Sequence, residues 1–195
     1  MIETQYHIIP NALPPELCDH LIIENFLYNK GEDARVFNKK TNDYDTDNMV
    51  RNTEVVFHPC KSDLGKFFKQ NCRTVNKEVN WYFNIDRIES IQLLKYQPGS
   101  FYNTHIDLRK PKKGKGFHQK QRKISCILLL NNPDEYIGGD LILFPFDSKL
   151  PVNLRTTLTK GDLLVFPSFI PHKIEEVVSG YRYSATAWIE GLSFR

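Results

Sequence analysis

A series of short, β-rich runs between residues 85 and 195 is the feature that most constrains how this chain can fold. Turn signals separate the runs, among them Pro98-Gly99, Gly138-Gly139 and Lys160-Gly161-Asp162. Short strands at this spacing favour a sandwich or barrel over a parallel βαβ sheet. The strands predicted here are Ile88–Tyr96, Lys123–Leu130, Asp140–Phe144, Thr156–Thr159, Asp162–Phe166, His172–Val178 and Tyr183–Glu190.

The first 84 residues contain two helical patterns. Pro14-Pro15-Glu16 predicts a helix start, because proline suits the first helical turn, and Gly31 lies just past the expected end. Ser62-Asp63 is a typical cap for the second helix. The apolar residues at helical spacing are Leu17, Leu21, Ile22 and Phe26 in the first pattern, and Leu64, Phe67, Phe68 and Val75 in the second.

Short strands at Tyr6–Ile9 and Asn52–His58 flank these helices in the prediction. The polar segment 32–49 carries alternating aspartates at positions 43, 45 and 47. No glycine follows Asp47, so a calcium loop is disfavoured and a mobile, solvated loop is expected.

Together these patterns predict a mainly β fold with flanking helices. We expect a double-stranded β-helix (jelly roll) with the N-terminal helices packed on one sheet. A length of 195 residues suits one domain, 1–195. Within it, residues 1–84 would provide helical support and a substrate-side loop, and residues 85–195 the jelly-roll core.

The composition is that of an ordinary globular protein, with 41% hydrophobic and 25% charged residues. A net charge of +3 is too mild to indicate nucleic acid as a partner. The longest apolar run, Ile127–Leu130, is too short to cross a bilayer, and the N-terminus has no signal-peptide pattern. We therefore expect a cytoplasmic protein without a membrane partner, whose widely spaced cysteines are free thiols. The sequence carries no signal for an oligomeric state.

One candidate metal site emerges from the β-rich half. His105 and Asp107 are two residues apart near a predicted strand end, and alternation would place both side chains on one face. His172, 67 residues further on, is the candidate third ligand. Two histidines and one carboxylate form the facial triad of non-haem Fe(II) oxygenases. The alternative is a surface histidine and aspartate beside a turn.

Arg182 lies ten residues beyond His172, at the start of a predicted strand. An arginine buried inside a small barrel needs an anionic partner, and its planar fork suits a carboxylate. The alternative is a surface ion pair with Glu175 or Glu176.

Four stretches in order give the chain a family resemblance. They are LLKYQPGSFYNTHID, RKISCILLLNNPDEYIGGDLILF, GDLLVFPSFIPHKIEEV and GYRYSATAWIEG. Over residues 85–194 the chain resembles the prolyl 4-hydroxylase-like 2-oxoglutarate- and Fe(II)-dependent dioxygenases, closest to the PKHD-type hydroxylase subgroup. Members of that subgroup commonly continue well past the barrel. We therefore expect no substrate or dimer role of such a tail here.

The resemblance implies a residue-level site. It implies that His105, Asp107 and His172 bind Fe(II) and that Arg182 holds the distal carboxylate of 2-oxoglutarate. Tyr96 matches a tyrosine lining the cosubstrate pocket, and Tyr102 the aromatic of a Y-x-x-H-x-D pattern. Core packing is the alternative role for both tyrosines.

The implied reaction is hydroxylation of a C–H bond with O₂, releasing succinate and CO₂, and ascorbate is a candidate reductant for oxidised iron. A prolyl residue in a peptide or protein is the first substrate hypothesis, and a free amino acid or other small metabolite is the second. A nucleic-acid demethylase is a weaker hypothesis, because no second arginine follows Arg182 before residue 190. A non-catalytic jelly-roll binding module is the alternative outside the enzyme class.

The segment Arg109–Lys123 is strongly basic and contains no acidic residue. It is predicted to be a loop at the mouth of the barrel. A lid that attracts an anionic substrate and a solvated run of charge both fit this pattern.

Overall fold

The computed structural model describes residues 4–27, 32–33, 36–38, 43–45, 50–109 and 120–193. Within these ranges the helices are α1 (Pro15–Ile22), extended by a π-helical turn (Ile23–Leu27), and α2 (Asp63–Glu78). The strands are β1 (His7–Ile9), β2 (Glu32–Asp33), β3 (Val36–Asn38), β4 (Asp43–Asp45), β5 (Arg51–Asn52), β6 (Glu54–His58), β7 (Arg87–Tyr96), β8 (Phe101–His105), β9 (Lys120–Leu129), β10 (Tyr136–Gly138), β11 (Leu141–Leu143), β12 (Val152–Asn153), β13 (Leu163–Pro167), β14 (His172–Ile174), β15 (Val177–Gly180) and β16 (Arg182–Leu192). A short 3₁₀ turn, Pro133–Glu135, precedes β10.

Two antiparallel sheets form the framework. The larger sheet has the order β1-β13-β9-β16-β7-β6-β2, and the smaller has the order β12-β11-β14-β8-β5. Two further pairs, β10-β15 and β3-β4, are two-stranded. This architecture agrees with the predicted jelly roll, and strands from the N-terminal 84 residues (β1, β2 and β6) extend the larger sheet at both edges.

Alternation along the strands of the larger sheet creates two cores. Leu93 belongs to a core shared with the helices, whereas its neighbour Leu94 belongs to a core shared with the smaller sheet. The helices supply Cys18, Phe68 and Cys72 to the first core. The helices thus back one face of the larger sheet, as predicted, and the other face lines the space between the sheets.

The helix termini follow local sequence rules. The Ser62 hydroxyl accepts a hydrogen bond from the Gly65 N–H at 3.2 Å, which confirms the predicted cap of α2. Pro15 begins α1, where its missing N–H costs no hydrogen bond. The α-helical geometry ends at Ile22, earlier than expected, and Gly31 lies outside the described residues.

Two strand predictions were wrong. Thr156–Thr159 is a turn, because the Leu158 N–H donates to the Leu154 carbonyl at 3.0 Å, which buries both leucines in the inter-sheet core. The run His172–Val178 is not one strand. β14 belongs to the smaller sheet, whereas β15 pairs with β10 in a two-stranded sheet. The run therefore contains two strands that belong to different sheets.

Two loop predictions need correction where the structure describes them. Within 32–49, β3 and β4 pair antiparallel and β2 joins the larger sheet, so this segment is not all loop. In the basic segment, Lys120–Lys123 belongs to β9. Positions 110–119, and those of 32–49 outside the three strands, lie outside the described residues.

All four cysteines are free thiols, as predicted, and three of them are buried. None of the helices in the described ranges is long and apolar enough to span a membrane.

Candidate metal centre

The side chains of His105, Asp107 and His172 converge at one point, with one possible ligand atom from each lying within 4.8 Å of the others. His105 Nε2 is 3.7 Å from Asp107 Oδ1, and His172 Nε2 is 3.6 Å from Asp107 Oδ2. The two imidazole centroids are 4.2 Å apart. The structure therefore brings together the three residues that the sequence singled out.

Strand pairing explains this convergence. His105 is the last residue of β8 and His172 is the first of β14, and the two are register partners. Asp107 lies two residues beyond the end of β8, where the Leu108 N–H donates to the Ser168 carbonyl at 2.8 Å. That bond fixes the chain after the strand, so the carboxylate faces the same point as the imidazoles.

Backbone carbonyls orient both imidazoles. His105 Nδ1 lies 2.8 Å from the Asn103 carbonyl, and His172 Nδ1 lies 3.1 Å from the Ile170 carbonyl. A carbonyl oxygen can only accept, so each Nδ1 must carry the proton. Each Nε2 then presents its lone pair toward the shared point, which is the tautomer a metal ion requires.

Burial and neighbouring charge set the protonation of the cluster. Burial and the adjacent His172 lower the pKa of His105 to about 3, so its ring is neutral near pH 7. Burial by itself would raise the pKa of Asp107, but His172, His105 and Arg122 lower it below its ordinary value. Arg122 contributes from a distance, with Nη1 3.9 Å from Asp107 Oδ1. A neutral His105 imidazole beside an ionised Asp107 carboxylate is ready to bind a cation.

A buried hydroxyl pair supports the aspartate. The Ser125 hydroxyl donates to Asp107 Oδ2 at 2.7 Å, and its oxygen lies 2.9 Å from the Ser168 hydroxyl oxygen. Both serines are fully buried. This network holds the carboxylate in one orientation, as second-layer groups do around metal ligands.

Aromatic rings surround the histidines. The Tyr102 ring stacks on His105 with centroids 3.6 Å apart and planes inclined by 17°. Phe166 meets His172 edge-on at 4.9 Å. Burial raises the pKa of Tyr102 to about 12, so its phenol is neutral. Tyr102 therefore packs directly against a candidate metal ligand.

Arg182 lies inside the barrel with only 2% of its surface exposed. Its guanidinium carbon is 5.4 Å from the ring centroid of Tyr96, its register partner on β7, and Nη1 donates to the Ser184 hydroxyl at 3.1 Å. No carboxylate among the described residues pairs with Arg182, and Glu175 pairs instead with Lys173 at 2.8 Å. The surface ion-pair alternative was therefore wrong.

The Arg182 guanidinium and the triad of His105, Asp107 and His172 lie in the same space between the two sheets. Tyr96 and Phe166 belong to the same inter-sheet core, so the guanidinium and the imidazoles border a common space. Because a buried guanidinium is costly without an anionic partner, Arg182 is a candidate anion-binding group.

Sequence reasoning missed several residues around the site, namely Arg51, Gln92, Arg122, Ser125, Ser168 and Ser184. Ser125 carried a faint signal, because it is a polar residue within the otherwise apolar run Ile124–Leu130. Arg51 carried none, because it comes from a segment with no recognisable motif.

The donor set fits ferrous iron. Two imidazole nitrogens and one carboxylate oxygen on one face are the ligands of non-haem Fe(II) centres, and they leave coordination positions open.

Comparison with known proteins agrees with this geometry. The 2OG-Fe(II) oxygenase superfamily profile matches residues 91–190, and the chain belongs to this family. A PKHD-type hydroxylase from Synechococcus elongatus is 31% identical over 104 residues, which are 53% of this chain and 44% of that protein. A PKHD-type hydroxylase from Stenotrophomonas maltophilia is 34% identical over 98 residues, covering 50% and 41%. These alignments span less than half the length of the curated relatives.

Solved structures show the same fold. A Pseudomonas putida prolyl-4-hydroxylase superposes with a TM-score of 0.69 at 20% identity, covering 97% of this chain and 94% of its own. A Trichoplax adhaerens prolyl hydroxylase, solved with a hypoxia inducible factor peptide fragment, gives 0.67 at 18% identity and covers 96% and 84%. The likeness confirms the double-stranded β-helix, and the family match and the curated relatives confirm the predicted resemblance.

Proposed function

We propose that this chain is a 2-oxoglutarate- and Fe(II)-dependent dioxygenase that hydroxylates a C–H bond, with a prolyl residue of a peptide or protein as the substrate. The observation that carries the proposal is the convergence of His105, Asp107 and His172 beside the buried Arg182. Family membership supports the cofactor pair.

His105 Nε2, His172 Nε2 and an Asp107 oxygen would hold the iron. Bound Fe(II) supplies the redox chemistry that couples decarboxylation of 2-oxoglutarate, with release of succinate and CO₂, to hydroxylation of the substrate by O₂. The Ser125 hydroxyl and the Asn103 and Ile170 carbonyls keep the ligands in place.

Arg182 would bind the distal carboxylate of 2-oxoglutarate, with the Tyr96 ring against the guanidinium. The apolar inter-sheet core around them keeps bulk water away and strengthens this charge pairing. Tyr102 would fix the ring plane of His105 by stacking.

The prolyl assignment has support from the relatives. Neighbours of the same fold are named prolyl hydroxylases, and one of them was solved with a peptide. A free amino acid or other small metabolite is the second candidate substrate, and the buried Arg51 would suit a carboxylate on a substrate of either kind.

A succinate-release assay tests the function directly. The full chain with Fe(II) and 2-oxoglutarate is incubated with a panel of prolyl peptides and free amino acids, with and without ascorbate, and products are identified by mass. We expect succinate in stoichiometric amounts with a product 16 mass units heavier, the mass of one oxygen atom.

Three outcomes separate the hypotheses. Stimulation by free amino acids but not by prolyl peptides would replace the substrate assignment. Protein that binds neither Fe(II) nor 2-oxoglutarate would instead be a non-catalytic binding module. An activity unchanged by ascorbate would remove that reductant from the scheme.

A further inference from the structure

A second buried cation lies beside the candidate metal centre. Arg51, on the edge strand β5, is only 5% exposed. Its guanidinium carbon is 4.7 Å from the ring centroid of Tyr102, the residue that stacks on His105. Arg51 is therefore separated from a candidate iron ligand by a single aromatic ring.

The hydrogen bonds of Arg51 are incomplete. Nη2 donates to the Gln92 side-chain oxygen at 3.3 Å, which is a long contact. Nε is buried and has no hydrogen-bond partner among the described residues. No carboxylate of the described part of the chain lies within ion-pair distance of the guanidinium. An uncompensated buried charge costs free energy, so its retention indicates a partner that arrives from outside.

Arg51 differs in this respect from an arginine with a structural role. The guanidinium of Arg155 donates to three backbone carbonyls and to Asp140, and so it ties the turn before β10 to the body of the molecule. Among the described residues, Arg155 has four acceptors, including a carboxylate, whereas Arg51 has only the long contact with Gln92.

The position of Arg51 is also separate from that of Arg182. Arg182 is the register partner of Tyr96 on β7, whereas the contact of Arg51 is Gln92, four residues earlier on the same strand. Four strand residues span about 13 Å. Arg51 and Arg182 are therefore two candidate anion-binding groups at different places along the interior. The distal carboxylate of the cosubstrate would need only Arg182, which leaves Arg51 for another anion.

We propose that Arg51 binds a carboxylate of the substrate that is hydroxylated. This inference rests on the proposed function and narrows it to substrates carrying a carboxylate near the reacting carbon. Three sources share this chemistry: the α-carboxylate of a free amino acid, the C-terminal carboxylate of a peptide, and an acidic side chain next to the reacting residue. Arg51 would donate to this carboxylate through the N–H groups that Gln92 leaves unused.

Matched probe pairs test this inference. The pairs are L-proline and L-prolinamide, Gly-Pro and its C-terminal amide, and N-acetyl-Pro-Asp-amide and N-acetyl-Pro-Asn-amide. Each pair differs by one carboxylate and represents one source. Binding to the wild-type chain, loaded with Mn(II) and 2-oxoglutarate, is measured by calorimetry, and turnover is measured with Fe(II).

In at least one pair we expect the carboxylate member to bind about 10-fold tighter or more, because a hydrogen bond to a charged group is that strong. Arg51→Met should remove the preference, and Arg51→Lys should restore part of it. Equal binding within every pair, including no binding by any probe, would overturn the inference, as would a preference that survives in Arg51→Met.

A stability measurement gives a readout that does not depend on the substrate. Without ligand, Arg51→Met should keep or raise the Tm, because methionine fills the space without an unpaired charge. Arg155→Met is the matched control and should lower the Tm. A fall of more than about 5 °C for Arg51→Met would assign Arg51 a structural role and overturn the proposal.

Binding of 2-oxoglutarate to the Mn(II)-loaded wild type separates the two levels of inference. If 2-oxoglutarate does not bind, the proposed function itself fails. If it binds while the carboxylate pairs are equal, only the role of Arg51 fails.

Discussion

His105 and His172 are register partners on the adjacent antiparallel strands β8 and β14, with ring centroids 4.2 Å apart. The sheet ladder thus fixes the spacing of two candidate ligands that are far apart in sequence. Each ring is also anchored through Nδ1 to a backbone carbonyl, so the geometry exists before any ion arrives.

Replacement of one ligand tests the centre. His105→Ala should reduce succinate formation by more than about 100-fold, because losing a direct ligand costs more than losing a supporting group. The assay is succinate release together with iron content. His20→Ala, at an exposed site on α1, is the control and should be unaffected. Full decarboxylation of 2-oxoglutarate by metal-loaded His105→Ala protein would contradict the assignment.

The buried guanidinium of Arg182 gives a second prediction. Arg182→Met should raise the Kd for 2-oxoglutarate by at least about 30-fold, because the distal carboxylate would be buried without its partner. Calorimetry on the Mn(II)-loaded chain measures this. Arg87→Met, at a half-exposed ion pair with Glu190, is the matched control. An unchanged affinity would place the cosubstrate elsewhere.

Support of Asp107 by Ser125 gives a third prediction. Ser125→Ala should weaken Fe(II) binding by about 10- to 100-fold, because the carboxylate loses the 2.7 Å hydrogen bond that orients it. Metal titration followed by fluorescence or calorimetry checks the value. The exposed Ser148→Ala should bind metal like the wild type. Wild-type metal affinity in Ser125→Ala would show that the hydroxyl only fills space.

Acid should destabilise the metal-free protein. The pKa of His105 is lowered to about 3 when folded, so between pH 6.5 and pH 3 the unfolded chain binds more protons than the folded one. The contribution of His105 to the free energy of unfolding is therefore complete above pH 6.5. It decreases as the pH falls, by up to about 2 kcal/mol at pH 5. Thermal unfolding in chelator at pH 7 and pH 5 measures this. His105→Gln should reduce the dependence of the Tm on pH. An equal Tm at both pH values in the wild type would refute the prediction.

The helix-backed core gives a stability prediction. Leu128→Ala should cost about 2–5 kcal/mol, because Leu128 is fully buried and its loss leaves a cavity. Leu150→Ala, where the side chain is 75% exposed, should change the free energy of unfolding by less than about 0.5 kcal/mol. Urea denaturation compares the two. Similar losses at both positions would mean that the described packing is wrong.

Local sequence patterns determined a large part of this protein. Alternating apolar residues and turn signals were enough to predict the β-rich half, and Ser62 was enough to mark the start of α2, because both depend on neighbours in the chain. The predictions were wrong where contacts between residues distant in sequence determine the local structure. The hydrogen bond from Leu158 to Leu154 closes a turn around the threonines between them. β14 and β15 are separate strands because each pairs in a different sheet.

The triad and Arg182 could be named from sequence, because the spacing of His105 and Asp107, the later histidine and the ordered family stretches all pointed to them. Tertiary structure alone decided what surrounds them. Ser125, Gln92 and Arg51 reach the site through strands that pair across the barrel, and no local pattern records that pairing. Whether a buried polar group has a partner depends on every element packed around it. Only the folded structure could therefore show that the buried Nε of Arg51 has none among the described residues.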